Sequence, residues 1–338
     1  MASRQLPKLT ARVRFPSPAR VNHSFFIRIT GFIRFAGNFH HVEVPLASRI
    51  IFRVRKSLNK GKINYPYLSG DAFKSLCDLV IDQDSLDIPG LDQKISTANI
   101  IFCRSNVVDE LFHRFGKVIR ARVLIAGNSD RDFTEELNIP PSFEHVLLQN
   151  SFISDGKRIH TLPIGLENQK LGINGLPKNF RPINLSSTRS REVLVGPFSP
   201  THSARIGLLE KYEKAIGPWQ TLNSWIFPDR LVRRYEEFTF VLSPRGNGVD
   251  THRVWESLYK GAHPILEDNS WSRSLKDMGY PVSLLPNLEP ATVREFVESS
   301  AGNTKNLQSE DLQIDPQSIE KLWMPYWESL IKAARPLA

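Results

Sequence analysis

The segment from Thr239 to Leu266 constrains the fold more than any other part of the chain. Thr239–Leu242 is a short β-branched and apolar run of the kind that forms a buried strand. Ser243-Pro-Arg-Gly-Asn-Gly248 follows, and its proline and two glycines end the strand and free backbone N–H groups to turn toward a ligand. Asp250 or Thr251 can cap the next helix, Gly261 can stop it, and His263-Pro264 leads into a second apolar run at Ile265-Leu266. Strand, loop, helix and strand in this order predict a unit of a mostly parallel α/β sheet.

The helical part divides at 100° per residue. Val254, Trp255 and Leu258 fall on one side, while His252, Arg253, Glu256, Tyr259 and Lys260 fall on the other. The apolar side predicts packing on a sheet; the polar side is expected to face a cleft or solvent. A helix N-terminus attracts anions. Arg245, His252 and Arg253 add donors there, and an arginine grips a phosphate through two parallel hydrogen bonds. Glu256, one turn in from His252, suits a sugar diol better than a phosphate. The pattern fits a nucleotide, with its diphosphate on the loop and its ribose at the glutamate. The competing reading is an ordinary glycine-bearing loop before a solvated helix face. The loop has neither a Gly-Lys-Ser/Thr phosphate loop nor a Gly-x-Gly-x-x-Gly dinucleotide fingerprint.

Ser243-Pro-Arg-Gly-Asn-Gly248, Asp250-Thr-His-Arg-Val-Trp-Glu256 and Gly261-Ala-His-Pro-Ile265 resemble the C-terminal motif of exostosin-like glycosyltransferases. That motif is a strand, a Pro-Arg-Gly loop, an Arg-x-x-Glu helix and a Gly-x-x-Pro turn. Thr161–Asn168 and Asn128-Ser-Asp130 are similar to bacterial members of the group. The resemblance implies an α/β, GT-B-like fold: two Rossmann-like domains facing across a cleft, the C-terminal one holding a sugar nucleotide. It also implies an inverting reaction. Ser243, Arg245, Gly246, Asn247, Gly248, His252, Arg253 and Glu256 are then the expected donor-binding residues.

Net charge is +9, but it is unevenly placed. Residues 1–60 hold twelve Lys or Arg against one acid, Glu43, which leaves −2 for the rest of the chain. The high basicity therefore belongs to the N-terminal extension and is not a nucleic-acid signal for the whole protein. Three readings compete for that extension: an arm for a membrane surface or partner, a transit-like peptide, or poorly ordered sequence without a role. Cys77 and Cys103 lie far apart without metal-ligand spacing, which predicts reduced, buried thiols rather than a disulfide framework. No apolar run is long enough to span a bilayer, because Arg28 and Arg34 interrupt the best N-terminal candidate. These features predict a cytoplasmic protein, in peripheral contact with a membrane if the extension binds one.

Two domains are expected from 338 residues. The N-terminal, acceptor-side domain is placed at 61–175 and the C-terminal, donor-binding domain at 190–338, joined through the Asn-, Pro-, Gly- and Ser-rich stretch 169–190. In the first domain, a helix is expected from Ser69 to about Val80, strands at Asn99–Cys103, Arg122–Ala126, His145–Gln149 and Ile159–Pro163, and a helix at Val107–Phe115. In the second, Glu192–Val195 and Tyr280–Leu285 read as strands. Ala204–Ala215, Arg230–Phe238, Ala291–Ser299 and Ser318–Ala334 read as helices, the last restarted at Pro325. Its stripe of Leu322, Trp323, Tyr326, Trp327 and Leu330 suits a helix crossing back to the first domain, or plain core packing.

Ligands of open α/β sheets bind beyond the carboxyl ends of strands. Asp130 follows a predicted strand there and is the candidate general base on an acceptor hydroxyl, although capping a turn is the commoner role for such a residue. Asp71 is a weaker candidate beside a helix start. Glu167, Thr201, His202 and Ser203 are further candidates for substrate contact. Asp82-Gln-Asp84 is read as a solvated loop after a helix, and Asp130-Arg-Asp132 as the more serious Asp-x-Asp pair; neither is taken as a metal site. No cofactor and no obligatory metal are expected, since a helix N-terminus and arginines can stabilise a departing diphosphate. The leading expectation is transfer of a hexosyl or pentosyl group from a nucleotide-sugar to a hydroxyl of a glycan or lipid-linked acceptor. A non-catalytic sugar-nucleotide or glycan-binding protein is the first alternative. A nucleic-acid binder using the basic arm is the second, and no nucleic-acid partner is expected.

Overall fold

The computed structural model describes residues 46–185, 188–303 and 314–334. Expectations for residues 1–45 lie outside the described residues. Within the described part, two five-stranded sheets form, and every strand pairing in both is parallel. The chain is thus an α/β protein of two Rossmann-like lobes facing across a cleft, GT-B-like in layout.

The first lobe opens with α1 (Leu46–Leu58) and α2 (Gly70–Lys74). Its sheet is β1 (Leu79–Ile81), β2 (Ile100–Arg104), β3 (Val123–Gly127), β4 (His145–Leu148) and β5 (Ile159–Thr161), in that spatial order. α3 (Leu91–Thr97) and α4 (Val108–Phe115) cover it. β3 reads Val-Leu-Ile-Ala-Gly and is buried throughout, as a strand covered on both faces requires.

The second lobe has β6 (Ser190–Val195), α5 (Leu208–Lys214), β7 (Trp219–Thr221), α6 (Pro228–Tyr235), β8 (Phe238–Leu242), α7 (His252–Tyr259) and β9 (His263–Glu267). α8 (Ser270–Asp277), β10 (Ser283–Leu285), α9 (Pro290–Asn303) and α10 (Met324–Ala333) complete it. Its strand order is β10-β9-β8-β6-β7, so the chain leaves β6 toward one edge and then works outward from β8 toward the other.

Several expectations need correction. The helix predicted to run to Val80 stops at Lys74, and Leu79–Ile81 is an edge strand; Asp82 and Asp84 therefore follow a strand, not a helix. Three apolar residues are too few to separate a strand from a helix tail by period. Leu46–Leu58 is helical although residues 1–60 show no sustained period. Ala204–Ala215 is a 3-10 turn at Ser203–Arg205 followed by α5, split by Gly207 at positive φ. β7 had no sequence signal beyond three residues. Cys103 is buried, its thiol pushed up to about 12 by burial, whereas Cys77 is only half-buried.

α7 departs most from its helical-wheel reading. Val254 through Tyr259 are all buried, so the expected polar face meets neither cleft nor solvent beyond Arg253. Both lobes and the C-terminal segment close around it. The Tyr259 hydroxyl accepts from the Leu68 amide at 2.9 Å and donates to the Leu322 carbonyl at 2.6 Å, and Lys260 pairs with Glu236 at 2.6 Å. One apolar core runs through this junction, joining Phe102 and Leu147 of the first sheet with Val241 and Trp255 of the second lobe. Pro325 sits in the first turn of α10, as a restart predicts. α10 does cross to the first lobe: Trp327 packs edge-on against Phe73 at 5.7 Å, and the Met324 amide donates to the Pro66 carbonyl.

Candidate functional site at the strand-order switch

The order β9-β8-β6-β7 has a topological switch point between β6 and β8, where successive loops leave in opposite directions and a crevice opens at the carboxyl end of the sheet. Two segments line it: Gly196–Gly207 after β6, and Ser243–Thr251 between β8 and α7. Gly246 joins them, since a Cβ there would lie 3.4 Å from both Arg205 Nη2 and Thr201 Oγ1.

Three arginines gather at this crevice. Arg253, in the first turn of α7, donates to the carbonyls of Gly196 (2.8 Å) and Pro197 (2.6 Å) and stacks over Phe198. Arg205 donates to the Pro244 carbonyl at 2.9 Å and to Thr201 Oγ1 at 3.3 Å, while its Nε is buried without a partner. Burial first, and then the charge of Arg253, pull the Arg205 pKa down to about 9. Among the described residues no carboxylate forms an ion pair with Arg205 or Arg253. The hydroxyl of Thr251, at the N-cap of α7, is also buried and unpartnered. His202 caps the 3-10 turn by accepting from the Ala204 amide, and burial followed by the charge of Arg245 lowers its pKa. Positive charge held in low-dielectric surroundings without a counter-ion is costly, and an anion in this crevice would offset that cost.

Arg245 does have a counter-ion, and it comes from the other lobe. Its Nη2 lies 2.6 Å from Asp132, which also accepts from the Val249 amide at 3.1 Å. Beside it, the Asn247 side chain donates to exposed Asp130 at 3.2 Å. The Asn128–Asp132 loop after β3 thus meets the Gly246–Gly248 loop, bringing together motifs more than a hundred residues apart. Gly248 is required for this approach, because any Cβ would strike the Asn150 side chain at 2.5 Å. Asn150 accepts from the Asp250 amide at 2.9 Å, and His252 bonds through Nδ1 to the Gly165 carbonyl at 2.8 Å. Gly165 itself, at φ 65°, lies against the Leu68 backbone, where a side chain would not fit.

The other predicted residues take quieter places. Ser243 is buried and donates to the Val241 carbonyl. Glu256 is buried beneath the arginines; its Oε2 faces the Tyr235 hydroxyl at 3.4 Å, and burial raises its pKa despite the charges of His252 and Arg253. Asp71 is buried between Lys74 and Lys170, and Ser69, not Asp71, caps α2. Glu167 is 2% exposed, accepts from the Asn174 amide and side chain through its two oxygens, and has its pKa raised by burial. Ser203 is exposed. Among the described residues, no group of three His, Cys, Asp or Glu side chains is arranged to hold a metal ion.

Arg205 and Asp250 were missed as site residues. Arg205 lies ten residues after β6, where only knowledge of the switch point would direct attention. A cavity of about 570 Å³ bordered by His263, Met278, Gly279 and Ile314 lies at the opposite end of the sheet, beside the first residue of β9, and is separate from this site.

No protein-family model matches the chain. No curated protein matches it. Among solved structures it is similar to a chain of the crystal structure of the GtfA/B complex, with 12% identity, a TM-score of 0.35, and coverage of 70% of this chain. It spans 55% of that neighbour's length. A likeness of this size assigns no residue and no reaction.

Proposed function

We propose that this chain is a glycosyltransferase that moves a sugar from a nucleotide-sugar donor to a hydroxyl of a glycan or lipid-linked acceptor, by inversion and without an obligatory metal or other cofactor. The observation that carries the reading is the pair Arg205 and Arg253, both half-buried and neither in an ion pair with a carboxylate among the described residues, in the crevice between β6 and β8. The exostosin-like pattern of Ser243–Gly248 and His252–Glu256 lies on the same crevice and supports the same ligand class.

In this reading Arg205, Arg253 and Arg245, with the Gly246–Gly248 backbone, hold the diphosphate. The acceptor oxygen attacks the anomeric carbon as the bond to the donor phosphate breaks. The proton leaves to Asp130, on the facing lobe. The arginines stabilise the charge that develops on the departing nucleoside diphosphate. Glu256 contacts the ribose only if the donor opens the Tyr235–Glu256 contact. The setting is cytoplasmic. A sugar-nucleotide-binding protein without turnover is the second reading, because Asp130 is exposed and its side chain meets the facing lobe, among the described residues, through Asn247 alone.

A panel of UDP-, GDP-, CMP- and dTDP-sugars tests this by thermal shift. One nucleotide class is expected to raise the melting temperature by several degrees at ligand concentrations about a hundredfold above Kd. No shift with any member, at millimolar ligand, removes the donor-site reading.

Donor binding must also displace Asp132 from Arg245. Asp132→Asn is therefore expected to tighten nucleoside diphosphate binding by roughly two- to fivefold, the worth of a partly exposed ion pair. Titration calorimetry on both proteins measures it, and weaker binding in the variant would make Asp132 a donor-site support instead of a competitor.

A further inference from the structure

α1 presents an apolar stripe that nothing among the described residues covers. Ile50, Ile51, Val54 and Leu58 are 55%, 39%, 54% and 68% exposed, and at spacings of one, four and eight they share one side of the helix. Six of the eleven exposed large apolar side chains among the described residues fall between Ile50 and Tyr65. A patch this concentrated on a water-soluble surface marks a binding face.

The opposite side is anchored. Phe52 packs edge-on against Phe227 at 6.2 Å, and Asn59 accepts from Gln169 at 3.1 Å. Gly172 lies against the backbone of Arg55 and Lys56 so closely that a Cβ would overlap it. The helix is therefore fixed against the folded body, by the joining stretch Gln169–Gly172 and by Phe227 at the start of α6.

Charge decides what the stripe meets. Residues 46–62 contain Arg49, Arg53, Arg55, Lys56, Lys60 and Lys62 and no acidic residue. Arg49, Arg53, Lys56 and Lys60 are exposed and flank the stripe along one side. An apolar strip bordered by cations suits the headgroup–acyl boundary of an anionic bilayer, where the stems of Lys and Arg extend the apolar contact and their charges reach the headgroups. No helix among the described residues is long and apolar enough to cross a membrane, so the contact is with the surface.

We infer that α1 is an interfacial helix that seats the protein on an anionic lipid surface through Ile50, Ile51, Val54 and Leu58, with Arg53, Lys56 and Lys60 on the headgroups. This surface is independent of the donor crevice.

Sedimentation of the full chain with vesicles tests the inference, using phosphatidylcholine alone and phosphatidylcholine with phosphatidylglycerol. The chain is expected to bind the anionic vesicles at least roughly tenfold better than the neutral ones, and less well in high salt. Ile50→Ser/Val54→Ser/Leu58→Ser and Arg53→Glu/Lys56→Glu/Lys60→Glu should each abolish most of that binding. All six positions are exposed, so both variants should melt like the parent and keep the parent's thermal response to nucleotide. Three results would overturn the inference: no binding to anionic vesicles, binding unchanged in both variants, or a concentration-dependent dimer dissolved by the serine variant, which would assign the stripe to a second copy. Loss of nucleotide response in the parent chain bears on the transferase reading alone.

Discussion

Arg205→Met should make the protein more stable and unable to bind its donor. The two effects have one cause. Arg205 spends its hydrogen bonds on one carbonyl and one hydroxyl, leaves Nε unpartnered, and sits next to a second cation. Desolvating that charge with two hydrogen bonds and no counter-ion costs up to several kcal/mol in the ligand-free protein. Methionine fills similar volume without that cost, although the Pro244 carbonyl loses its donor. The expected net gain is about 1–2 kcal/mol, or a few degrees in melting temperature. Binding moves the other way. Charge-assisted hydrogen bonds are worth about 1.5–3 kcal/mol each, so nucleoside diphosphate affinity should fall roughly a hundredfold. Arg205→Lys keeps the charge but loses the fork, and should fall between the two.

Arg189 supplies the control. Its Nε is likewise unpartnered and burial lowers its pKa to about 10, but its two terminal nitrogens donate to the carbonyls of Tyr235, Phe238 and Lys260. Those contacts stitch β8 to the end of α7, so Arg189→Met should destabilise the fold. Scanning fluorimetry of both variants, with and without the nucleotide that shifts the parent, separates the cases. If Arg205→Met destabilises as Arg189→Met does and still responds to nucleotide, Arg205 is a structural residue and the crevice loses its main argument.

The contrast between these two arginines also shows what a sequence conveys here. The α/β class followed from apolar runs such as Val123–Ala126 and Phe240–Leu242, because strands buried on both faces carry their signal locally. The loop at Ser243–Gly248 was legible for the same reason: proline and glycine act on their own backbone. Burial of Glu256, Tyr259 and Lys260 was not legible, since it arises from a second lobe and a C-terminal segment closing on α7. Nor could spacing show that Asp132 would reach Arg245, or that Arg205 would lie beside Gly246. Those contacts are set by strand order, and the order β8-β6-β7 is a property of how the chain crosses over, not of any short stretch of residues. α1 was obscured differently: its cations interrupt the apolar period, and only exposure reveals two functional sides on one helix.

Asp250→Ala should weaken the joint between the lobes by about 3–5 kcal/mol, the largest single loss of stability expected. Asp250 is 4% exposed. Its Oδ2 accepts from the Ile164 amide of the first lobe at 2.8 Å, and its Oδ1 accepts from Trp255 Nε1 at 2.7 Å. Alanine leaves both donors buried without acceptors, at about 1–3 kcal/mol each, and frees Trp255 from its edge-on contact with Tyr280. Asp250→Asn keeps one acceptor and turns an NH2 toward the other donor, so it should cost less. Its cost should also depend on pH. Burial raises the Asp250 pKa to about 7, overcoming the N–H donors that favour the carboxylate. An acid with a raised folded-state pKa gives a contribution that is complete below its unfolded value, near 4, and is lost as pH rises through about 7. The parent should lose that contribution between about pH 4 and pH 7, whereas the asparagine variant has none to lose. The stability difference between them, from urea unfolding, should therefore shrink across that interval; other titrating groups cancel in the difference. A gap that widens with pH would mean that the amide of Ile164 and the indole of Trp255 hold Asp250 ionised, and that the joint between the lobes is a buried charge instead of a buried acid.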